Sequence, residues 1–312
     1  MPVTPVITRF APSPTGALHL GHAYAALVAW RAARQAGGRF LVRLEDIDGP
    51  RMRPAYVQAI LDDLTWLGLP WDGEVLRQST RMAAYKAALD RLAGMDLLYP
   101  CFCTRAEIRA EIDRAGSAPH PAAGREGSAG DGSGDGMTPP YPGTCRALAA
   151  SERAARLAAG EPHALRLPMD QALAKAGPHL VWHDRRRGEQ VADPAPFGDI
   201  VLARKDIPAS YHLAVTVDDA AQGITLVTRG EDLFAASHIH RLLQALLGLP
   251  VPDYLHHPLV VDGRGKRLAK RDDARSLAAL RARNMTAQHI KTLLEDGEAR
   301  CAAGLATAIQ GP

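Results

Sequence analysis

Residues 9–22 read Arg-Phe-Ala-Pro-Ser-Pro-Thr-Gly-Ala-Leu-His-Leu-Gly-His, and this segment gives the first indication of the fold. Residues 6–10, Val-Ile-Thr-Arg-Phe, favour a short β-strand. Residues 18–36 favour a helix that Gly37 and Gly38 end. The start of such a helix offers free N–H groups and a partial positive charge, which attract phosphate. The sequence therefore predicts a strand–turn–helix unit that can bind a nucleotide.

The alternation of strands and helices continues along the chain. The further predicted strands are 40–44, 164–167, 199–204, 211–217 and 224–229. The further predicted helices are 54–67, 79–93 (capped by Ser79 or Thr80), 237–247 and most of 275–299. Strands that alternate with helices are typical of a parallel sheet, so we predict an α/β fold.

Composition limits the class of protein. The 312 residues are 46% hydrophobic and 23% charged, which excludes a wholly disordered chain. The net charge of +3 allows a basic face for RNA but does not demand one. Residues 1–6 lack the charged and apolar regions of a signal peptide, and no apolar run is long enough to span a membrane. We therefore expect a cytoplasmic protein without a membrane partner.

One segment interrupts the pattern of strands and helices. Residues 127–136 consist of Gly, Ser, Asp and a single Ala, with almost nothing apolar. Such a segment cannot bury enough surface to offset the entropy lost on ordering. We therefore expect residues 114–140 to form a disordered insertion in a surface loop.

Two stretches carry residues that suit phosphate chemistry. His19 and His22 are three residues apart, share one helix face and can donate hydrogen bonds to developing negative charge. Gly21 lacks a side chain, so a flat base could pack against the backbone there. Residues 262–271 form a glycine-containing loop with five cations, which can close over a polyphosphate. Taken separately, the two stretches are better explained by a capped helix with exposed histidines and by a solvated basic loop.

Taken together, residues 19–22 and 267–271 resemble the paired motifs of class I aminoacyl-tRNA synthetases. The first, His-Leu-Gly-His, is similar to the HIGH motif, and the second, Arg-Leu-Ala-Lys-Arg, is similar to the KMSKS loop. Arg267 and Ala269 depart from that loop, whereas Lys270 keeps its second lysine. We expect these departures to affect the speed of the loop more than its role.

Three further strings narrow the resemblance to the glutamyl and glutaminyl synthetases. They are residues 9–16, 43–51 and 228–233, which follow one another in the family's order. Only about 40 residues follow the KMSKS-like loop, fewer than a helical anticodon-binding domain needs. The chain is therefore most similar to the shortened glutamyl-Q tRNA(Asp) synthetases. That family activates glutamate with ATP and attaches it to queuosine in the anticodon loop of tRNA(Asp).

The resemblance implies a Rossmann-like, nucleotide-binding catalytic domain whose site residues carry over by position. Glutamate would contact Arg9, Phe10, Ala11, Pro12, Ser13, Glu45, Tyr211 and Arg229. ATP, accompanied by Mg²⁺, would contact His19, Gly21, His22 and Lys270, and the two histidines and the lysine would be catalytic. A guanidinium holds a carboxylate by two parallel hydrogen bonds, which suits Arg9. Tyr211 taken alone would equally fit a packed aromatic residue on a strand.

The cysteines form a second group of interest. Cys101 and Cys103 precede the insertion, and Tyr141 and Cys145 follow it. By spacing alone, plain reduced cysteines are favoured, because paired zinc ligands usually have two or more residues between them. The family carries Cys-x-Cys and Tyr-x-x-x-Cys at this place, so the resemblance implies a structural Zn²⁺ held by these four residues. Cys301 has no partner in this scheme.

The resemblance also divides the chain into parts. We expect residues 1–100 and 196–260 to be the two halves of the catalytic domain. Residues 101–195 would be an inserted zinc-binding, acceptor-like subdomain that contains the disordered loop at about 114–140. Residues 261–312 would hold the KMSKS-like loop and a short helical tail.

The partners implied are ATP, L-glutamate and a tRNA(Asp) that carries queuosine, and we expect a monomer. Two alternatives stay open. One is a minimal glutamyl-tRNA synthetase that charges the 3′ end of tRNA(Glu). The other is a zinc-containing RNA-binding module without catalysis, against which the intact His19, Gly21, His22 and Lys270 argue.

Overall fold

The computed structural model describes residues 5–47, 52–116, 140–260 and 276–302. Within them, two sets of strands contain all the parallel pairs. The first set pairs in the order β1 (Ile7–Phe10), β2 (Arg39–Leu44) and β3 (Leu76–Arg77). The second set pairs in the order β9 (Leu226–Gly230), β10 (Asp253–His257) and β6 (Val181–Asp184), with β7 (Gly188–Val191) antiparallel at its edge.

The strands β1 and β9 lie side by side and join the two sets. The N–H of Thr225 donates to the carbonyl of Ile7 at 3.0 Å, and the Ile7 N–H donates to the Thr225 hydroxyl at 2.8 Å. Two residues farther along β1, the Arg9 side chain donates to the carbonyl of Thr228 at 3.1 Å, so both strands run in the same direction. The carboxyl ends of β1, β2 and β9 therefore meet at one edge, where parallel sheets bind ligands.

Ten helices lie within the described residues. They are α1 (Leu20–Gln35), α2 (Pro54–Trp66), α3 (Met82–Ala93), α4 (Arg105–Gly116), α5 (Ala150–Ala158), α6 (Met169–Ala176), α7 (Tyr211–Ala221), α8 (Ala236–Leu247), α9 (Leu277–Ala282) and α10 (Ala287–Ala302). None of these helices is long and apolar enough to cross a lipid bilayer.

Two apolar clusters hold the helices on the sheet. In the first, Leu27 of α1 and Phe40 of β2 belong to one cluster with Ile60 of α2, Leu277 of α9 and Ile290 of α10. Burying one such Leu, Ile or Phe side chain contributes about 1.5–3 kcal/mol. The cluster therefore fixes the start of α1, where the phosphate-binding residues are predicted, against the first strands.

The second cluster joins the helices α3, α6, α7 and α8. Tyr85, Leu213 and Leu243 are fully buried in it. A small antiparallel sheet lies beside this cluster, in the order β4 (Tyr99–Cys101), β5 (Ala164–Leu167) and β8 (Ile200–Ala203). β4 carries the first of the paired cysteines.

The predicted strand at 211–217 is wrong, because these residues open the helix α7. Ser210 caps that helix by accepting the N–H of Leu213. Four consecutive residues, 213–216, are buried, so the helix is covered on nearly every side. A buried apolar run of this length has no polar face to reveal its period, and its β-branched residues suggest a strand.

The helix predicted at 79–93 begins later, at Met82. Its N-cap is Arg81, which makes no capping bond with its side chain. Ser79 lies in a 3₁₀ turn before the helix and donates its hydroxyl to Asp46 at 2.7 Å. The predicted cap at Ser79 or Thr80 is therefore wrong, because Ser79 bonds to Asp46 and the Thr80 hydroxyl donates to the carbonyl of Arg77.

The other predicted strands and helices are confirmed, with shifts of a few residues at their ends. The helical prediction for 275–299 becomes two helices, which Asn284 separates with a positive φ of 61°. In the predicted disordered insertion, residues 114–116 instead continue the helix α4, and Pro140 is described. Residues 117–139, and residues 261–275 with the KMSKS-like loop, lie outside the described residues.

Candidate active site

Side chains from three strands and one helix converge at the carboxyl edge of the parallel sheet. Arg9 lies on β1, Glu45 directly follows β2, Arg229 lies on β9, and Tyr211 is the first residue of α7. Burial raises the pKa of Tyr211, and the charges of Arg229, Glu45, Arg9 and Asp219 all act on its hydroxyl. The structure therefore brings together four of the residues that the sequence predicts for an amino-acid site.

Arg9 is held by a buried aspartate on α7. Its Nε donates to Asp219 Oδ1 at 2.8 Å, and its Nη2 donates to Oδ2 at 3.2 Å. Arg43 donates to the same Oδ1 at 2.7 Å. Burial alone would raise the pKa of Asp219, but the two guanidinium groups lower it to about 2. With the bond to Thr228, three of the five N–H groups of Arg9 are used, which leaves one on each Nη atom for a ligand.

Glu45 presents a carboxylate at the same edge. Its N–H donates to the carbonyl of Pro12 at 3.1 Å, which ties the end of β2 to the loop after β1. Its Oε1 lies 3.6 Å from Nη2 of Arg43. Burial raises the pKa of Glu45, and Arg43 and Arg9 oppose that rise. A second cation, such as a substrate ammonium, would further stabilise this carboxylate.

The loop between β1 and α1 contains the remaining predicted glutamate contacts. Phe10 is buried in the first apolar cluster, so only its backbone can meet a ligand. Pro12 is buried, whereas Ala11 and Ser13 are partly exposed. The N–H of Thr15 donates to the carbonyl of Ser13 at 2.8 Å and closes a tight turn. The loop thus offers backbone groups and one hydroxyl to the site.

The two histidines of the HIGH-like motif cap the helix α1. His19 Nδ1 accepts the N–H of Gly21 at 3.1 Å, and His22 Nδ1 accepts the N–H of His19 at 3.3 Å. The ring centroids are 3.9 Å apart. Because each Nδ1 accepts a backbone N–H, a neutral ring carries its proton on Nε2, which can donate to a ligand. Lys270, the predicted partner of these histidines, lies outside the described residues.

Gly21 leaves room for the His19 ring. A Cβ atom at this position would lie 3.0 Å from Cε1 of that ring. The glycine therefore lets the imidazole approach its own capping N–H.

The backbone of the HIGH-like motif is joined to the residues that follow the basic loop. His19 and Ser276 form an isolated antiparallel bridge, and the N–H of Leu277 donates to the carbonyl of Leu18 at 2.8 Å. Ser276 also caps α9. The residue that follows 261–275 is thus fixed next to the start of α1.

Arg229 is surrounded by uncharged acceptors. Its Nε donates to His256 Nε2 at 3.1 Å, its Nη1 lies 3.2 Å from His240 Nδ1, and its Nη2 donates to the Ser237 hydroxyl. His256 Nδ1 lies 2.6 Å from a carboxylate oxygen of Asp184. Among the described residues, no carboxylate lies within ion-pair distance of Arg229. Arg229 is only 6% exposed, so its charge is buried without a direct counter-ion.

The cysteine cluster forms a separate site at the end of β4. The sulfur atoms of Cys101, Cys103 and Cys145 lie within 4.8 Å of one another. The Tyr141 hydroxyl oxygen lies 3.5 Å from Cys101 Sγ and 3.3 Å from Cys103 Sγ. Ligand sulfurs on one tetrahedral Zn²⁺ are about 3.8 Å apart, given Zn–S distances of about 2.3 Å. The four predicted ligands therefore fit one zinc ion, and Arg166 stacks on the tyrosine ring at 3.8 Å.

Several residues of the active site escaped the sequence prediction. The adjacent acids Asp218 and Asp219, inside an otherwise apolar run, were the signal that could have revealed a buried ion pair. His240 and His256 gave no comparable signal, because single histidines are common on packed helices and strands. Their role depends on contacts with Arg229 that only the fold creates.

The chain is similar to known proteins over most of its length. Residues 5–294 match the family described as tRNA synthetases class I (E and Q), catalytic domain. The glutamyl-Q tRNA(Asp) synthetase of Rhodobacter capsulatus is 49% identical over 297 residues, which cover 93% of this chain and 99% of that relative. The glutamyl-Q tRNA(Asp) synthetase of Nocardia farcinica is 44% identical over 92% of this chain and 83% of its own length.

Solved structures show the same likeness. A glutamate-tRNA synthetase from Elizabethkingia anophelis superposes with a TM-score of 0.69 and 29% identity over 86% of this chain. The chain spans about half of that protein, 53% of its length.

Proposed function

Because the chain belongs to the family of class I tRNA synthetases for glutamate and glutamine, we propose that it activates glutamate with ATP and transfers it to queuosine in the anticodon loop of tRNA(Asp). One observation carries the proposal. Arg9, Glu45, Tyr211 and Arg229 meet at the carboxyl edge of the sheet, next to the histidine-capped start of α1. This arrangement supports a site for an acidic amino acid beside a site for a phosphate.

The charges of the pocket match those of glutamate. Arg229, which has no carboxylate partner among the described residues, would bind one carboxylate, and the remaining N–H groups of Arg9 would bind the other. Glu45 would accept hydrogen bonds from the ammonium group. The Tyr211 hydroxyl lies within the field of all these charges and would orient the substrate between them.

The chemistry needs no covalent intermediate on the protein. The α-carboxylate of glutamate attacks the α-phosphorus of ATP in line. The bond from this phosphorus to the oxygen that bridges it to the β-phosphate breaks, and pyrophosphate leaves. His19 and His22 would donate from Nε2 to the phosphate oxygens as charge develops, and Lys270 would neutralise the polyphosphate together with Mg²⁺. Removing one such donor typically slows the step by a factor of about 10²–10³.

We propose a structural role for the cysteine cluster. Cys101, Cys103, Tyr141 and Cys145 would hold one Zn²⁺. All four coordination positions are then filled by protein, so the ion would tie residues on both sides of 104–140 together. No step of the reaction requires it.

The choice between glutamate acceptors rests on the relatives. The proteins that are 49% and 44% identical carry the glutamyl-Q name, whereas the glutamate-tRNA synthetase structure is 29% identical. We therefore favour queuosine in tRNA(Asp) over the 3′ end of tRNA(Glu).

The test is transfer of labelled glutamate to tRNA prepared with and without queuosine, together with ATP–pyrophosphate exchange. We expect exchange that depends on glutamate and label only on the queuosine-containing tRNA(Asp). Label on tRNA(Glu) in both preparations would identify an ordinary glutamyl-tRNA synthetase. RNA binding without exchange would leave only a non-catalytic module. The variant His22→Ala, purified in the same way, controls for contaminating synthetases.

A further inference from the structure

We infer that His240 and His256 are positioning residues that hold Arg229 without neutralising it, and that this uncharged shell makes the pocket prefer glutamate to glutamine. The inference rests on the proposed function, because it concerns the same substrate. It assigns a task to two buried histidines that do not themselves touch the reacting atoms.

The pocket contains buried arginines in two different settings. Arg9 and Arg43 share the carboxylate of Asp219, so part of their charge is balanced inside the protein. Arg229 contacts only imidazole nitrogens, a hydroxyl and the face of an aromatic ring, none of which carries a negative charge. A buried charge is costly unless a partner compensates it. The side-chain carboxylate of glutamate would supply that partner, whereas the side-chain amide of glutamine would not.

The two histidines are fixed as neutral acceptors. Burial, with the positive charge of Arg229, lowers the pKa of His240 well below its usual range. The same two causes lower the pKa of His256 to about 3, although Asp184 opposes the shift. The carboxylate of Asp184 lies on the other side of the His256 ring, 2.6 Å from Nδ1. The neutral ring of His256 thus separates Arg229 from this carboxylate.

The hydrogen bonds also define which ring nitrogens carry protons. Arg229 has only donors, so the atom that faces it on each histidine must accept. His256 therefore donates from Nδ1 to Asp184 and accepts at Nε2. His240 accepts at Nδ1 and donates from Nε2 to His212 Nδ1, which is 3.2 Å away. Both rings are nearly fully buried, which limits how far they can turn.

The shape of Arg229's surroundings favours positioning over simple packing. Three of its nitrogens are each directed to a different acceptor, on α8 and on β10. This fixes the plane of the guanidinium on the inner side of the pocket. The Tyr211 ring packs beside His240, and the two ring centroids are 5.7 Å apart.

The decisive test compares His240→Asn with His240→Asp. The two side chains have nearly the same shape, and each can place an oxygen near the position of Nδ1, so they differ mainly in charge. We expect His240→Asn to keep the wild-type preference for glutamate in ATP–pyrophosphate exchange. In His240→Asp, the new carboxylate would neutralise Arg229 and repel glutamate. We expect its KM for glutamate to rise at least about tenfold, equivalent to about 1.4 kcal/mol, with little change in kcat, because the new carboxylate repels that of the substrate.

The ratio of kcat/KM for glutamate to that for glutamine is the second readout. It should fall in His240→Asp and stay high in His240→Asn. If the wild type shows glutamate-dependent exchange, equal KM values and equal ratios in the two variants would overturn the inference. Absence of glutamate-dependent exchange in the wild type would instead contradict the proposed function and remove the premise.

A second pair guards against a folding defect at His240. Gln and Glu at position 256 can each place an oxygen where His256 Nε2 accepts from Arg229. We expect His256→Glu to raise the KM for glutamate relative to His256→Gln, with thermal unfolding measured for both. The same KM in this pair as well would show that the charge of the shell is irrelevant.

Discussion

Asp219 and Arg9 form a bidentate ion pair that joins α7 to β1 across 210 residues of sequence. The pair lies under the pocket and is closed from the other side by Arg43. It therefore serves both the stability of the fold and the orientation of Arg9.

Replacing Asp219 by Asn should destabilise the protein strongly. The variant leaves the buried guanidinium of Arg9 without its carboxylate partner and leaves Arg43 only Glu45, 3.6 Å away. Breaking a buried pair in this way costs about 3–5 kcal/mol. Urea unfolding of both proteins measures the loss. Asp62→Asn, on the exposed side of α2, is the matched control and should change little. Equal unfolding midpoints for the two variants would contradict the buried-pair interpretation.

The same carboxylate should make stability depend on acid. Arg9 and Arg43 lower the pKa of Asp219 to about 2 in the folded protein, whereas an unfolded Asp has a pKa of about 3.9. A lowered folded pKa stabilises the protein above the unfolded value, and this contribution is lost as pH falls toward 2. We expect the free energy of unfolding to fall more steeply between pH 4 and 2 in the wild type than in Asp219→Asn, by on the order of 2 kcal/mol. Parallel pH profiles of the two proteins would refute the assignment.

Gly21→Ala should separate catalysis from stability. The added Cβ would lie 3.0 Å from the His19 ring and push it off its capping N–H. Alanine favours helix by up to about 1 kcal/mol, which offsets the cost of weakening the cap. The melting temperature should therefore change little. We expect ATP–pyrophosphate exchange to fall at least about tenfold, because a displaced donor loses much of its effect. Gly94→Ala, at the end of α3 where a Cβ has ordinary contacts, should leave exchange unchanged.

Removing zinc ligands should lower metal binding in steps. Tyr141→Phe keeps the ring that Arg166 stacks on but loses the oxygen near the sulfurs. Mutation of a residue that only supports a metal ligand typically weakens metal binding by about 10- to 100-fold. Loss of the Tyr141 oxygen, a direct ligand, should therefore weaken zinc binding at least about tenfold. Cys103→Ser should lower both bound zinc and the melting temperature. Metal content and chelator competition measure these changes, with Cys301→Ser as the control. Wild-type zinc content in Cys103→Ser would exclude the site.

Sequence reasoning succeeded where a pattern is local. The strand–turn–helix unit at 6–36 follows from apolar residues, a glycine stop and a capping position. It failed at 211–217, because a helix that is buried on nearly every side has no amphipathic period. The shell of Arg229 was out of reach, since α8 and β10 meet it only through the folding of distant segments. The domain boundaries at 100 and 195 stay predictions. β6, at 181–184, belongs to the predicted inserted subdomain by sequence but pairs with β10 of the parallel sheet.

The position of β1 between β2 and β9 has a consequence for biosynthesis. Ile7 and Thr225 bond to each other but are 218 residues apart, so the ribosome makes β9 long after β1 and β2 have emerged. Until then one side of β1 presents unpaired N–H and C=O groups, which are a template for wrong pairing. Arg9 also lacks its carboxylate partner until Asp219 has been made. The first strands of the nascent chain therefore stay incompletely paired until β9 has been made, and the pocket can form only after β9 and β10 have emerged.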